Sequence, residues 1–192
     1  MDIIQYCLLG KIEDSEALGV KCISLASLGH HEEAITCYDE IIKAYPEALG
    51  AWYNKGNSLA SLGHHEKAIV CFDEVIRAYP EYLGAWGNKG NSLASLGHHE
   101  KAIVCFDEVI KLDPEALGAW HNKGNSLHSL RSYEKAIVCF DEVIKLDPKD
   151  SPAWHNKGMS LNSLEKYKKA IPCFDEVIKL DPENLTAWYN MG

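Results

Sequence analysis

Several features are missing from this sequence, and each absence excludes a class of protein. Lysine and arginine together number 19 against 28 aspartates and glutamates, which gives a net charge of −9. Such a chain lacks the basic surface that neutralises a phosphate backbone, so nucleic acid is not an expected partner. No apolar run approaches the roughly 18 residues of a membrane-spanning helix, so no membrane association is predicted. Asp2 stands where a secretory leader would be cationic.

Catalytic patterns are missing as well. The sequence has no nucleophile with an obvious partner, no glycine-rich phosphate loop, and no acidic pair outside the repeating pattern described below. We therefore expect no enzymatic activity and no cofactor. A substrate-recognition arm of a larger enzyme stays open as an alternative, since a catalytic domain could lie elsewhere.

The seven cysteines form no CxxC pair. Five of them are spaced 34 residues apart: Cys37, Cys71, Cys105, Cys139 and Cys173. This spacing follows a repeat rather than a set of metal ligands or a disulfide framework. It predicts free thiols buried between helices as small apolar side chains, in a reducing compartment and hence the cytoplasm.

What the sequence does contain is an internal repeat. Tryptophans and prolines both step by 34 residues, at Trp52, Trp86, Trp120, Trp154 and Trp188 and at Pro46, Pro80, Pro114, Pro148 and Pro182. An alanine series and an aromatic series keep the same register, at Ala34, Ala68, Ala102, Ala136 and Ala170 and at Tyr38, Phe72, Phe106, Phe140 and Phe174. Four series in one register indicate a tandem array.

The spacing of apolar residues predicts two helices in each unit. Residues 51–62 carry Trp52, Leu59 and Leu62 at helical spacing, and Gly63 ends this first helix. Residues 66–79 form the second helix, with an apolar stripe at i, i+3, i+4 and i+7 (Ala68, Ile69, Phe72, Val75 and Ile76). Acidic residues precede basic ones on its outer side, for example Asp73 and Glu74 before Arg77, which is typical of a solvated helix face.

The unit resembles the tetratricopeptide repeat (TPR) family, in which Trp, Gly, Ala, an aromatic and Pro recur within 34 residues. Trp52, Gly56, Gly63, Ala68, Phe72 and Pro80 occupy these places. The resemblance implies an all-α fold, a right-handed superhelical solenoid of antiparallel helix-turn-helix units with a concave surface lined by the first helices. It also implies a protein-binding scaffold.

The repeat register predicts the domain organisation. Full units are expected at residues 15–48, 49–82, 83–116, 117–150 and 151–184, after a helical or capping segment at residues 1–14. Residues 185–192 start a sixth unit. The first unit diverges most, with Leu18 in the Trp place and Cys22 in the Gly place. An uncovered repeat face at residues 185–192 would favour head-to-tail self-association, so a self-assembling array is a second functional alternative.

Asparagines recur on the side of the first helix opposite the Trp and Leu stripe. One series is Asn54, Asn88, Asn122, Asn156 and Asn190, and a second, three residues later, is Asn57, Asn91 and Asn125. Inheritance by duplication would explain them without function. A carboxamide also offers a donor and an acceptor to an extended peptide backbone, and similar ladders line TPR peptide grooves. We therefore predict a groove that binds extended protein or peptide segments.

Three neighbouring positions vary and would supply side-chain contacts in this groove: Tyr53, His121 and His155. Lysines such as Lys55 and Lys89 lie one place further round, so no clamp for a C-terminal carboxylate is predicted. The histidine pairs, for example His64 and His65, come without Cys, Asp or Glu at ligand spacing, so no metal site is predicted.

Overall fold

A computed structural model describes residues 17–182. The predicted N-terminal segment at residues 1–14, the partial unit at residues 185–192 and Asn190 lie outside the described residues. Two compact units divide the chain, Met1–Leu96 and Gly97–Gly192, called unit 1 and unit 2 below. All regular secondary structure between residues 17 and 182 is helical.

Between residue 17 and its end at Leu96, unit 1 contains five helices. They are α1 (residues 17–27), α2 (His31–Ala44), α3 (Leu49–Ser61), α4 (His65–Ala78) and α5 (Leu83–Ser95). The helices α2 to α5 pack in chain order, and α3 also contacts α5. Because the connections between them are short, helices that follow one another and pack together run antiparallel.

The part of unit 2 that the structure describes, up to residue 182, contains another five helices in the same arrangement. They are α6 (His99–Leu112), α7 (Leu117–Ser129), α8 (Tyr133–Leu146), α9 (Ser151–Ser163) and α10 (Tyr167–Leu180). Each packs on the next, and α7 also contacts α9. In both units the first helices of neighbouring repeats therefore pack side by side. We call each such place a junction.

The buried core follows the predicted stripe of the second helices. Ala68, Cys71, Phe72 and Val75 of α4 are buried, and Leu59 of α3 packs against them. Gly56 lies under the Phe72 ring, where an added Cβ would be 2.7 Å from Phe72 Cε1. Glycine occupies this place because the helix can then approach the aromatic ring closely.

The tryptophans hold the loops between repeats. The indole Nε1 of Trp52 donates to the carbonyl of Pro46 at 2.9 Å, and Trp86, Trp120 and Trp154 make the same bond six residues back. The first helix starts at Leu49, two residues before the predicted start. The Ala48 carbonyl already accepts from the amides of Ala51 and Trp52, which begins the helix ahead of its apolar stripe.

Gly63 ends the first helix as predicted. Its φ is +77°, in the left-handed region that glycine adopts without steric cost. Two residues of unit 2 hold a similar conformation without being glycine, namely Arg131 at φ 58° and Glu165 at φ 57°.

The interpretation of the charged outer face was only half right. Glu74 does pair with Arg77 at 2.7 Å. Asp73 instead pairs with Lys89 of the next repeat at 2.6 Å, and Lys89 Nζ also lies 5.4 Å from the centre of the Trp86 ring. The same ion pair joins Lys55 to Asp39, Lys123 to Asp107 and Lys157 to Asp141. These aspartates bridge neighbouring repeats, and the lysines are occupied away from the groove.

The prediction of free thiols was wrong for Cys37, which forms a disulfide with Cys22. It was right for Cys71, Cys139 and Cys173, which are free and buried. The sequence reasoning missed the pair because Cys22 lies outside the 34-residue series. Cys22 takes the place that glycine holds in later repeats, so the facing cysteine of this repeat alone meets a second thiol.

Candidate peptide-binding site

The asparagine ladder is a set of contacts between repeats. At the α3–α5 junction, Asn88 Nδ2 donates to Asn57 Oδ1 at 2.7 Å and to the Tyr53 hydroxyl at 3.1 Å. Both Nδ2 hydrogens of Asn88 are thereby used, while its Oδ1 can still accept. The two predicted series bond to each other across the junction.

The α7–α9 junction in unit 2 repeats this bond and adds a second. Asn156 Nδ2 donates to Asn125 Oδ1 at 3.0 Å. One turn further along, His128 Nδ1 lies 2.9 Å from Ser160 Oγ. Ser160 donates its only hydroxyl proton to the Asn156 carbonyl, so Nδ1 of His128 carries the proton in this bond. Burial lowers the pKa of His128, which keeps the ring neutral.

The α1–α3 junction lacks both bonds. Ile23 stands in the place of Asn125, and Ala26 in the place of His128. Ile23 offers no acceptor or donor, and the Asn54 carboxamide makes no hydrogen bond within the described residues. The Oγ of the buried Ser58 has no partner either. This junction pairs polar side chains on α3 with apolar ones on α1.

A cleft of about 260 Å³ opens at the α1–α3 junction. It is lined by Ile23, Ala26 and Ser27 of α1, by His31 and Tyr38 of α2, and by Asn54, Asn57, Ser58 and Ser61 of α3. The Nδ1 of His31 is also buried without a hydrogen-bond partner, as are those of His65 and His99 at the same place in the next two repeats. Buried polar atoms are nearly always satisfied in folded proteins, so the unsatisfied Ser58 hydroxyl marks a place for a ligand or water in this cleft.

Family models match most of the chain. A tetratricopeptide repeat model matches residues 84–115, 118–150 and 151–184, and a second one matches residues 23–82. The chain belongs to the tetratricopeptide repeat family. No curated protein matches it significantly.

Solved TPR proteins share the fold. YrrB, described as a TPR protein with an unusual peptide-binding site, superposes with a TM-score of 0.82 at 22% identity, covering 98% of this chain and 97% of its own. MamA from Desulfovibrio magneticus RS-1 gives 0.84 at 22% identity, with 89% and 97% covered. A TPR protein from Parabacteroides merdae gives 0.85 at 17% identity, with 93% and 71% covered. The predicted all-α solenoid of TPR units is confirmed, and this fold supports a protein-interaction scaffold.

The variable groove residues Tyr53, His121 and His155 also make aromatic contacts within the protein, which the sequence did not predict. Tyr53 packs edge-on against Tyr82 with ring centres 5.1 Å apart. His121 and His155 contact the rings of Phe140 and Phe174 at 5.8 and 5.9 Å. Burial lowers the pKa of His155, which favours its neutral form. All three side chains are half-buried and keep one side available.

The remaining groove asparagines differ in accessibility. Asn91 and Asn125 are exposed, whereas Asn122 is half-buried. Sequence reasoning missed Ser58, which lines the α1–α3 cleft. The signal was available, because Ser58 follows Asn54 by one helical turn.

Within residues 17–182, no three side chains of His, Cys, Asp or Glu gather as a metal site would require. The exposed His30 of one histidine pair contacts Glu33 instead, with Nδ1 3.1 Å from Oε1. In the same part of the chain, no helix is long and apolar enough to cross a membrane.

Proposed function

We propose that this TPR protein binds extended peptide segments along its first helices, with the α1–α3 cleft as the main anchoring point. The observation that carries this proposal is the unpaired Asn54 carboxamide beside the unsatisfied Ser58 hydroxyl in an open cleft. Both groups can bond a peptide N–H or C=O whatever the peptide sequence is.

The other groove asparagines play a smaller part in this proposal. Asn57 is bonded to Asn88 in unit 1 and Asn125 to Asn156 in unit 2, so each has only part of its carboxamide left for a ligand. Within each unit they would guide a peptide backbone along the first helices, with Asn91 in unit 1 and Asn122 in unit 2. Tyr53, His121 and His155 would contact its side chains.

The expected affinity is modest. A hydrogen bond contributes about 1 kcal/mol net, so three bonds from the cleft supply about 3 kcal/mol. That alone corresponds to binding weaker than about 1 mM. Apolar contact with Ile23, Ala26 and the Tyr38 ring would add to it. We therefore expect tolerance of many peptide sequences rather than tight recognition of one.

The similarity in fold to a TPR protein with a peptide-binding site supports the proposal but does not identify a partner. YrrB is described as having a peptide-binding site, and it shares the fold over nearly the whole of this chain. A scaffold without catalytic activity agrees with family models that are TPR models alone. Cytoplasmic location and head-to-tail self-association stay predictions, and the Cys22–Cys37 disulfide weighs against a permanently reducing compartment.

Titration of a fluorescent peptide library against matched variants tests the site. Asn54→Ala should weaken binding about fivefold for each hydrogen bond lost. Ile23→Asn should also weaken it, because the new side chain would take up the Asn54 carboxamide as Asn57 takes up Asn88. Asn88→Ala should cause a smaller loss, because most of this carboxamide is already bonded to Asn57 and Tyr53. Equal affinity of Asn54→Ala and the parent, or a larger loss in Asn88→Ala, would refute the proposed anchoring point.

A further inference from the structure

The disulfide joins α1 to α2 at one end of the described repeats. Cys22 is fully buried and Cys37 is 5% exposed. In later repeats the place of Cys22 is taken by glycine, as at Gly56, Gly124 and Gly158. The cysteines at the place of Cys37 in these repeats, Cys71, Cys139 and Cys173, are free. These repeats lack the link and can be compared with the one that has it.

Besides the disulfide, only partly buried apolar side chains of α1 pack against the core, namely Leu18, Leu25 and Ala26. Cys22 is the only fully buried residue among residues 17–28. The corresponding helix α3 buries Ala51, Gly56, Ser58 and Leu59. Large apolar side chains of α1 stay exposed instead, with Val20 at 66% and Ile23 at 51%. Few buried apolar contacts are the mark of an element that opens easily.

The same helix forms one wall of the proposed peptide cleft. Ile23 follows Cys22 directly in the chain, and Ala26 and Ser27 continue the wall on the next turn. His31 and Tyr38, which also line the cleft, belong to α2, the helix that carries Cys37. Any loosening of α1 from α2 therefore alters the shape of this cleft.

We propose that Cys22 and Cys37 form a reversible thiol–disulfide latch that keeps α1 in place as a wall of the α1–α3 cleft. In the closing reaction the two thiols lose two protons and two electrons and form one S–S bond. The oxidant is a small disulfide such as glutathione disulfide, which is reduced to two thiols. A dithiol reductant reverses the reaction. The effect on ligand binding rests on the proposed function, whereas the effect on α1 does not.

Hydrogen exchange measures the latch without any ligand. The protein is oxidised with glutathione disulfide or reduced with dithiothreitol, and amide exchange of residues 17–28 is followed by mass spectrometry. Closing a loop of this size, with a sequence separation of 15, restricts the open state, so reduction should speed exchange in α1 by up to about a hundredfold. Amides of α7 in unit 2 should not respond. Equal exchange of α1 in the two states would overturn the latch.

Two variants control for the other cysteines and for folding. A Cys22→Ser, Cys37→Ser double variant should behave like the reduced protein under both conditions. Cys139→Ser, which removes a buried free thiol of unit 2, should retain the full response of α1. The reduced parent protein gives the same information if the double variant fails to fold. Loss of the response in Cys139→Ser would contradict the assignment to Cys22 and Cys37.

The fluorescent peptide library then tests the link to binding. Peptides that bind the oxidised protein should bind the reduced protein several-fold more weakly, because only the fraction with α1 in place binds well. Unchanged affinity despite faster exchange of α1 would overturn the link between latch and cleft. If no peptide bound in either state while exchange still changed, the proposed peptide function would fail and the latch on α1 would stand.

Discussion

The α1–α3 junction has the same helical framework as the α3–α5 and α7–α9 junctions but lacks their asparagine–asparagine hydrogen bond. At α3–α5 and α7–α9, the asparagine of one repeat finds the asparagine of the previous one. At α1–α3, the equivalent Asn54 faces Ile23, and Ser58 faces Ala26, whereas the matching Ser160 is bonded to His128. The asparagine and the serine of the later helix are the same at all three junctions (Asn54, Asn88 and Asn156; Ser58, Ser92 and Ser160). On the earlier helix, Ile23 stands where the other two junctions have Asn57 and Asn125.

This difference shows that a repeated polar residue has no fixed role in a solenoid. A carboxamide with a partner in the neighbouring repeat stabilises the stack, and the same carboxamide without one is available to a ligand. Duplication copies the asparagine, and divergence of one neighbouring helix then changes what it can do. The proposed anchoring point thus depends on Ile23, which cannot bond to Asn54 as an asparagine could.

The largest expected effect concerns the packing that both kinds of junction share. Trp52 lies in α3 at the α1–α3 junction, and Trp154 lies in α9 at the α7–α9 junction. The indole of each donates to a proline carbonyl, at 2.9 and 3.0 Å. Trp52→Ala and Trp154→Ala should each lower the free energy of unfolding by about 3–5 kcal/mol. Urea denaturation would measure both. A loss below about 1 kcal/mol in either variant would contradict a common apolar framework.

A smaller change in unfolding free energy should distinguish the junctions by their polar contacts. Asn88→Ala removes two hydrogen bonds and leaves the half-buried Asn57 and Tyr53 without a partner, so it should cost about 1–2 kcal/mol. Asn54→Ala breaks no bond within the described residues and should cost less than about 0.5 kcal/mol. The two unfolding curves settle the comparison. Equal costs would mean that the ladder bonds do not stabilise the stack.

The smallest effect is a pH dependence confined to the α7–α9 junction. Burial lowers the pKa of His128 in the folded protein, so as the pH falls below about 6.5 the unfolded chain binds the proton first. The stabilisation from neutral His128 should be complete above that value and be lost as the pH falls through the lowered pKa.

The measurement is the difference in unfolding free energy between the parent and His128→Ala, taken from about pH 8 to pH 5. This difference isolates His128 from His155, whose pKa burial also lowers. A difference that stayed constant over the range, or grew towards low pH, would contradict the burial of a neutral ring at this junction.

Much of the fold could be predicted because each of its causes recurs in the sequence. The apolar stripe of α4, the glycine under Phe72 and the left-handed Gly63 are local requirements repeated in one register. Asp73 was misassigned for the opposite reason. Its sequence neighbour Arg77 pairs with Glu74, and its own partner Lys89 lies in the next repeat. Pairing between helices depends on distances that spacing along one helix does not give.

By itself, the sequence determined the repeat, its two helices and the face on which the asparagines lie, because periodicity and turn chemistry are properties of the local chain. Only the tertiary structure decided which asparagines are bonded and which is left over. The divergence of the first repeat was visible in the sequence, but its consequences were not. Ile23 opposite Asn54 and Cys22 opposite Cys37 become a cleft and a disulfide only when packing brings α1, α2 and α3 together.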